Sequence, residues 1–221
     1  MCENSPPIDK LVNGFRRFHD ERFAQRDAYF QALVREGQCP RVLFLACSDS
    51  RVDPAIVFGT DPGDLFIIRN VANIVPPYET NTGQHGVSAA IEYAVDVLEV
   101  EHIIINGHSQ CGGIRALCEN PGEAHIDSPS LVYRWLALAR PAYDRARADY
   151  PQAPVDELAR ECEKDSILAS LDNLMTFPMV ERRVREGRLQ LHGWYFDMAA
   201  GKLHGYDRNT GCFEPLGQTA P

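Results

Sequence analysis

The chain contains no run approaching the roughly 18 consecutive apolar residues that a membrane span requires. Its first residues, Met-Cys-Glu-Asn-Ser-Pro-Pro, lack the basic and apolar regions of a signal peptide, so no leader is expected there. Basic residues are in deficit: 22 Lys and Arg stand against 31 Asp and Glu, for a formal charge of −9. That balance argues against a nucleic-acid partner, whose phosphates select basic surfaces. The seven cysteines (Cys2, Cys39, Cys47, Cys111, Cys118, Cys162 and Cys212) are odd in number and irregularly spaced. A disulfide framework is therefore not expected, and a reducing cytoplasm is the default location. Internal repeats, low-complexity tracts and flexible linkers are missing too. What remains is a 221-residue chain with 44% hydrophobic residues, enough for one well-filled domain.

Apolar periodicity after Pro6-Pro7 (Ile8, Leu11, Val12, Phe15, Phe18) predicts an amphipathic helix running to Arg35 and ending near Gly37. Residues 1–37 read as a helical arm suited to lie across a neighbour, and residues 38–221 as the core of a single domain. Arg41–Ala46, Asp64–Arg69 and Glu101–Asn106 read as buried strands. Thr82–Leu98 reads as a helix with Ala90, Tyr93, Ala94 and Val97 on one face. Ser128–Tyr150 and Val155–Leu174 are predicted helices, with a short helix over Val180–Arg185. Leu189–Phe196 and Lys202–Tyr206 are predicted strands joined by a turn at Ala200-Gly201. The fold class is α/β: a mostly parallel sheet flanked by helices, with the long N-terminal helix and C-terminal helical and strand additions.

Two segments carry the chemistry: Ala46-Cys47-Ser48-Asp49-Ser50-Arg51 and Gly107-His108-Ser109-Gln110-Cys111-Gly112-Gly113. Each follows a predicted strand, and ligands in parallel sheets gather beyond the carboxyl ends of strands. Cys47, His108 and Cys111 make a three-ligand set for Zn²⁺, one ion per chain, with a fourth position left for water. Two thiolates cancel the ion's formal charge, so its water should ionise less readily than the pKa of about 7 of three-histidine zinc water. Asp49 and Arg51 are spaced so that a tight turn aims both at one spot, where the guanidinium holds the carboxylate ionised. An ionised Asp49 accepts hydrogen bonds only, which suits a metal hydroxide attacking a small neutral electrophile. In a second reading Asp49 is the fourth ligand of a closed, structural site, against which Arg51 competes. Cys118, two helical turns beyond Cys111, has no metal-binding company and reads as core.

At these residues the sequence resembles the β-class carbonic anhydrases. The resemblance also covers Arg69-Asn70-Val71-Ala72-Asn73, Glu92-Tyr93-Ala94-Val95 and Leu191-His192-Gly193-Trp194, and so nearly the whole chain. It implies reversible CO₂ hydration at zinc held by Cys47, His108 and Cys111, with Asp49 and Arg51 as catalytic dyad, in a homodimer or larger homo-oligomer. Within the class the chain looks like the plant-type branch, whose substrate-pocket positions fall on Gln38, Phe66, Val71 and Tyr93, with a backbone donor at Gly112. On the residues alone Phe66, Val71 and Tyr93 read as core packing, and only the resemblance makes them pocket residues. The bicarbonate-regulated branch uses a Trp, an Arg and a Tyr. Here those positions hold Phe44, Arg69 and Phe196, so that regulatory site is not expected. Hydrolysis of carbonyl sulfide or carbon disulfide fits similar zinc chemistry, and a non-catalytic zinc scaffold would not need the dyad.

Overall fold

The computed structural model describes residues 6–81, 83 and 85–217. They fall into two units, Met1–Cys39 and Pro40–Pro221. In the first, α1 (Pro7–Phe18) begins on a proline, tolerated there because a first-turn N–H has no helical partner. The helix passes through a π turn (His19–Phe23) and a 3₁₀ turn (Ala24–Arg26), then breaks at Arg26 before α2 (Asp27–Glu36). This corrects the expected single helix to Arg35. In a straight helix Phe18 and Phe30 would stand about 18 Å apart along the axis. The bend brings their rings to 5.6 Å, with Phe23 at 5.0 Å from Phe30, closing an aromatic cluster. Ile8, Leu11, Val12 and Phe15 remain exposed.

The second unit builds β1 (Val42–Cys47), α3 (Pro54–Val57), β2 (Leu65–Asn70), α4 (Gly86–Glu92), β3 (His102–His108) and α5 (Gly112–Glu119). It continues through α6 (Leu131–Leu136), α7 (Arg140–Asp149), α8 (Val155–Leu174), α9 (Pro178–Arg185), β4 (Gln190–Asp197), β5 (Lys202–Asp207) and β6 (Cys212–Pro215). The sheet runs β2-β1-β3-β4-β5-β6. Its first four strands are parallel, and β5 and β6 return antiparallel. The chain winds from β1 to β2 on one side, then crosses to β3 on the other, so the winding reverses between β1 and β3. Crevices open at the carboxyl ends of strands where winding reverses, and Cys47 and His108 terminate these two strands.

Three elements depart from the sequence reading. The expected helix start at Thr82 lies outside the described residues, and α4 begins at Gly86. It continues as a π turn, Tyr93–Val97, closed by the Leu98 N–H on the Tyr93 carbonyl. The extra residue rotates the expected stripe: Ile91, Ala94 and Val95 are buried, whereas Tyr93 and Val97 are exposed. The Ser128–Tyr150 helix is split by a 3₁₀ turn at Ala137–Ala139, with Pro141 in the first turn of α7, because proline cannot donate within a continuous helix. Strand β6 carried no alternating pattern, being short, polar and at the sheet edge. No helix among the described residues is long and apolar enough to cross a membrane.

Helix α8 packs against β3 and β4 over two glycines. A Cβ at Gly107 would lie 2.7 Å from Ile167 Cδ1, and one at Gly193 would lie 2.9 Å from Ile167 Cγ2 and 3.0 Å from Leu171 Cδ1. Ile167 is fully buried, which is worth about 1.5–3 kcal/mol for such a side chain. Gly193→Ala should therefore overpack this contact and destabilise the fold by about 1–3 kcal/mol in urea denaturation. An unchanged midpoint would show that α8 moves off the sheet freely.

Candidate metal centre

Cys47 ends β1, His108 ends β3, and Cys111 precedes the first turn of α5. All three are buried, and their ligand atoms lie within 4.8 Å of one another. The two sulfurs are 3.9 Å apart. Two thiolates each about 2.3 Å from one tetrahedral zinc stand about 3.8 Å apart, so the spacing fits the ion. His108 Nδ1–H donates to the Ser109 carbonyl at 2.9 Å, which leaves Nε2 as the lone-pair nitrogen. That buried Nε2 has no hydrogen-bond partner among the described residues. An orphaned imidazole nitrogen beside two buried sulfurs is a donor set suited to zinc.

The thiols are not equivalent. The hydrogen bond from Cys111 holds Cys47 below the usual thiol range, with His108 and the Asp49 N–H assisting. Cys111 is pushed up by the neighbouring Cys47 sulfur and by burial. Burial, the largest single influence, lowers His108, but Cys47, the Ser109 carbonyl and Asp49 together outweigh it and the net direction is upward.

Asp49 and Arg51 occupy the turn after β1. Arg51 Nε donates to Asp49 Oδ1 at 2.9 Å and Nη2 to Oδ2 at 2.7 Å, a bidentate pair. The Arg51 backbone N–H adds a third bond to Oδ1 at 3.0 Å. These hydrogen bonds hold the Asp49 carboxyl far below the usual carboxylate range. Asp49 is not among the three clustered residues, and its carboxylate is paired with Arg51. Arg51 Nη2 also donates to the Gln110 carbonyl at 3.0 Å, tying the dyad to the turn that presents Cys111.

Of the expected pocket residues, Phe66 and Tyr93 meet with ring centroids 5.8 Å apart. Val71 packs at the base of α5, its Cγ1 2.9 Å from where a Gly113 Cβ would sit. The Val71 carbonyl accepts from Trp135 Nε1 at 2.8 Å. Gly112 opens α5, exposed and with free space around its Cα. Gln38 is an exposed residue of the N-terminal unit, one residue past Gly37.

Two supports escaped the sequence reading. Glu163 of α8 is buried, and its Oε1 accepts the Cys111 N–H at 2.9 Å while Oε2 accepts the Tyr195 hydroxyl at 2.9 Å. Burial pushes its carboxyl upward. A signal existed: Glu163 is the acidic member of a stripe with Ala159, Cys162, Ser166 and Ser170. Arg69 is the other support. It reaches the Cys47 carbonyl (2.9 Å), the Asp49 carbonyl (2.6 Å) and Asp53 Oδ2 (2.9 Å), pinning the turn that carries the dyad.

The profile of the family described as Carbonic anhydrase matches residues 42–203. Beta carbonic anhydrase 5, chloroplastic, of Arabidopsis thaliana is 38% identical over 194 residues, covering 88% of this chain and 63% of that protein. A carbonic anhydrase of Synechococcus elongatus is 36% identical, covering 88% of this chain and 70% of its own length. The solved β-carbonic anhydrase CcaA superposes with a TM-score of 0.88 at 35% identity, covering 95% of this chain and all of that one. A tetrameric β-carbonic anhydrase of Sordaria macrospora gives 0.75 at 29% identity, covering 96% of this chain and 98% of that one. Fold, ligand set and relatives agree. The chain belongs to the carbonic anhydrase family, and within it to the β class.

Glu163→Leu would leave the Cys111 N–H and the Tyr195 hydroxyl unpaired in the interior, at about 1–3 kcal/mol for each group. Zinc affinity, read by competition with a chelator, should fall about 10–100-fold, as for losing a group that orients a ligand. Glu163→Gln keeps an acceptor for the amide and should lose less on both counts. Equal zinc affinity in the leucine variant would show that Cys111 needs no such support.

Proposed function

We propose that this chain catalyses the reversible hydration of CO₂ to bicarbonate and a proton, with one zinc ion held by Cys47, His108 and Cys111. The observation that carries the reading is the bidentate Arg51–Asp49 pair set beside, but outside, a buried three-ligand cluster. A structural site has no need of it. Zinc bound there would supply Lewis acidity that makes water a nucleophile, at mildly alkaline pH because two thiolates cancel the ion's formal charge.

The remaining work falls to the chain. Asp49 is kept ionised and accepts hydrogen bonds only, so it accepts a hydrogen bond from the O–H of the attacking oxygen and thereby turns a lone pair toward the substrate carbon. By the same property it admits bicarbonate through its O–H and disfavours anions that cannot donate. Arg51 fixes the carboxylate plane and keeps Asp49 off the metal. Phe66, Val71 and Tyr93 offer CO₂ an apolar wall, and the Gly112 N–H at the start of α5 suits the negative oxygen of bicarbonate. Gln38, with a polar amide, enters on the family resemblance alone.

The plant-type reading is supported by the three positions of the regulated branch. Phe44 is buried against Phe58 and Trp194, Phe196 packs in the apolar cluster around the ligands, and Arg69 already serves two carbonyls and Asp53. Assembly into a homodimer or larger oligomer is supported by the exposed apolar face of α1 and by the tetrameric Sordaria relative. Free thiols at Cys39, Cys47, Cys111, Cys118, Cys162 and Cys212 fit a reducing cytoplasm.

The deciding experiment is stopped-flow CO₂ hydration with zinc analysis on one preparation. His108→Ala and Cys47→Ser should lose metal and activity together. Asp49→Ala should keep its zinc and lose about 10²–10⁴-fold in turnover. Hydration by metal-free protein would overturn the assignment, and zinc loss in Asp49→Ala would make Asp49 a ligand.

The pH profile follows from the sign of the Asp49 shift. A carboxyl depressed in the folded state keeps its charge as pH falls through the ordinary range near 4, so Asp49 adds no limb between about pH 5 and 9. The rate should follow one ionisation, that of zinc water, and steepen little as bicarbonate is added. Arg51→Ala should release the Asp49 carboxyl upward and bring an acid limb into view. Strong proton cooperativity in the parent enzyme would show that a bicarbonate switch operates.

A further inference from the structure

A charged side chain leaves water only where other groups answer it, and Arg183 is the one buried arginine among the described residues. Its neighbours on α9 behave differently. Arg182 and Arg185 are exposed, and they pair with Asp96 at 3.2 Å and Glu181 at 2.8 Å. Arg183 turns inward to the backbone. Its Nη1 donates to the Val95 carbonyl at 2.7 Å, and its Nη2 donates to the carbonyls of Glu99 at 3.2 Å and Val100 at 3.5 Å. The Glu99 carboxylate, mostly exposed, lies 3.8 Å from Nη1.

These carbonyls lie where the helix begun by α4 ends. The last carbonyls of a helix lack N–H partners and carry the negative end of its dipole, so a guanidinium answers both needs. The segment is also unusually wound. In the π turn Tyr93–Val97 the Leu98 N–H donates to the Tyr93 carbonyl at 3.0 Å, and the Val100 N–H donates to the Ala94 carbonyl at 3.1 Å. Between them Glu99 takes a φ of 53°, which a residue with a Cβ rarely adopts. Arg183 thus holds both sides of a backbone path that an ordinary helix end would not follow.

The turn presents Tyr93. Its ring is exposed and lies 5.8 Å from Phe66, whereas Ala94, Val95 and Val100 are fully buried. Rewinding the turn as α-helix would bond the Leu98 N–H to Ala94 and rotate the residues on one side by about 100° against those on the other. With the buried side fixed in the core, the change falls on Tyr93.

We propose that Arg183 is a positioning residue for the hydration pocket. By holding the carbonyls of Val95, Glu99 and Val100 it keeps the π turn wound and Tyr93 in place beside Phe66. The part played by that apolar wall rests on the functional reading above, while the hold on the turn rests on the hydrogen bonds alone.

The test combines stopped-flow CO₂ hydration, with rates per bound zinc, and amide hydrogen exchange on Arg183→Met, Arg183→Lys, Tyr93→Ala and the Arg183→Met/Tyr93→Ala double variant. Arg183→Met should raise KM for CO₂ roughly 3–10-fold with little change in kcat, as for weakened substrate contact. Arg183→Lys, which keeps a donor, should lose less, and Arg185→Met on the exposed face should lose nothing. In the Tyr93→Ala background Arg183→Met should add no further loss, because residues acting through one another are not additive. Exchange at the Leu98 and Val100 amides should quicken in Arg183→Met. An unchanged KM, losses that multiply in the double variant, or unchanged exchange would overturn the proposal. Should Arg183→Met fail to fold, the same comparison made with Arg183→Lys decides it. A zinc-loaded parent without hydration activity would overturn the functional reading and the pocket role with it, and exchange would still decide whether Arg183 holds the turn.

Discussion

Two strands wound in opposite senses from a common origin leave a gap at their carboxyl ends, and the metal centre depends on that gap. β1 supplies Cys47 and β3 supplies His108, 61 positions apart in sequence yet ending side by side because β1 pairs with both β2 and β3. Cys111 joins them only because α5 starts immediately after the β3 turn. Gln110 makes that turn in the left-handed region (φ 58°), unusual for a side chain with a Cβ. Its carbonyl is the one that accepts from Arg51, so the same turn places a ligand and braces the dyad. Ala72 and Asn73 also have positive φ, at 63° and 47°, in the turn after β2. Asn70 brackets that turn through two side-chain bonds to Ile74. Local strain is held in the turn that follows Val71.

The support extends outward through α8. Gly107 and Gly193 give up side chains so that Ile167 can sit on the sheet, and the close approach carries Glu163 under Cys111. Helix, glycines and buried carboxylate therefore form one device. Moving α8 outward would separate Glu163 from the ligand it holds, which links packing in the core to the geometry of the metal site.

Much of this was legible in the sequence, for definite reasons. Strands β1 and β3 are buried along nearly their whole length and read as apolar runs, and the candidate ligands lie at or just beyond their ends. The dyad was legible because its partners are two residues apart. Cys118 is buried in the same apolar cluster as Cys162, as expected of a core residue. What escaped was set by tertiary context. The π turn at Tyr93 moves a residue from an apparent core stripe to the surface, and no periodicity announces an inserted residue. The bend between α1 and α2 is decided by contacts among Phe18, Phe23 and Phe30, distant along a straight helix. Arg69 holds the Cys47 and Asp49 carbonyls and Glu163 the Cys111 N–H, backbone partners that residue types do not mark, so Glu163 showed only as the acidic member of its helix stripe.

The same backbone contacts oppose any move of the Asp49 carboxylate toward the Cys47, His108 and Cys111 cluster. Transfer to a metal would break two charge-assisted bonds from Arg51, each worth about 1.5–3 kcal/mol, though less here because Arg51 is half exposed. It would also require the turn after β1 to move, and Arg69 holds that turn at the carbonyls of both Cys47 and Asp49. An anion can drive such a change only by binding the second state better than the first. The groups able to offer that preference are committed elsewhere: Arg69 to two carbonyls and Asp53, Phe44 to its ring cluster, Phe196 to apolar packing. The open dyad is thus the consequence of one arginine answering a carboxylate and another answering the backbone beneath it.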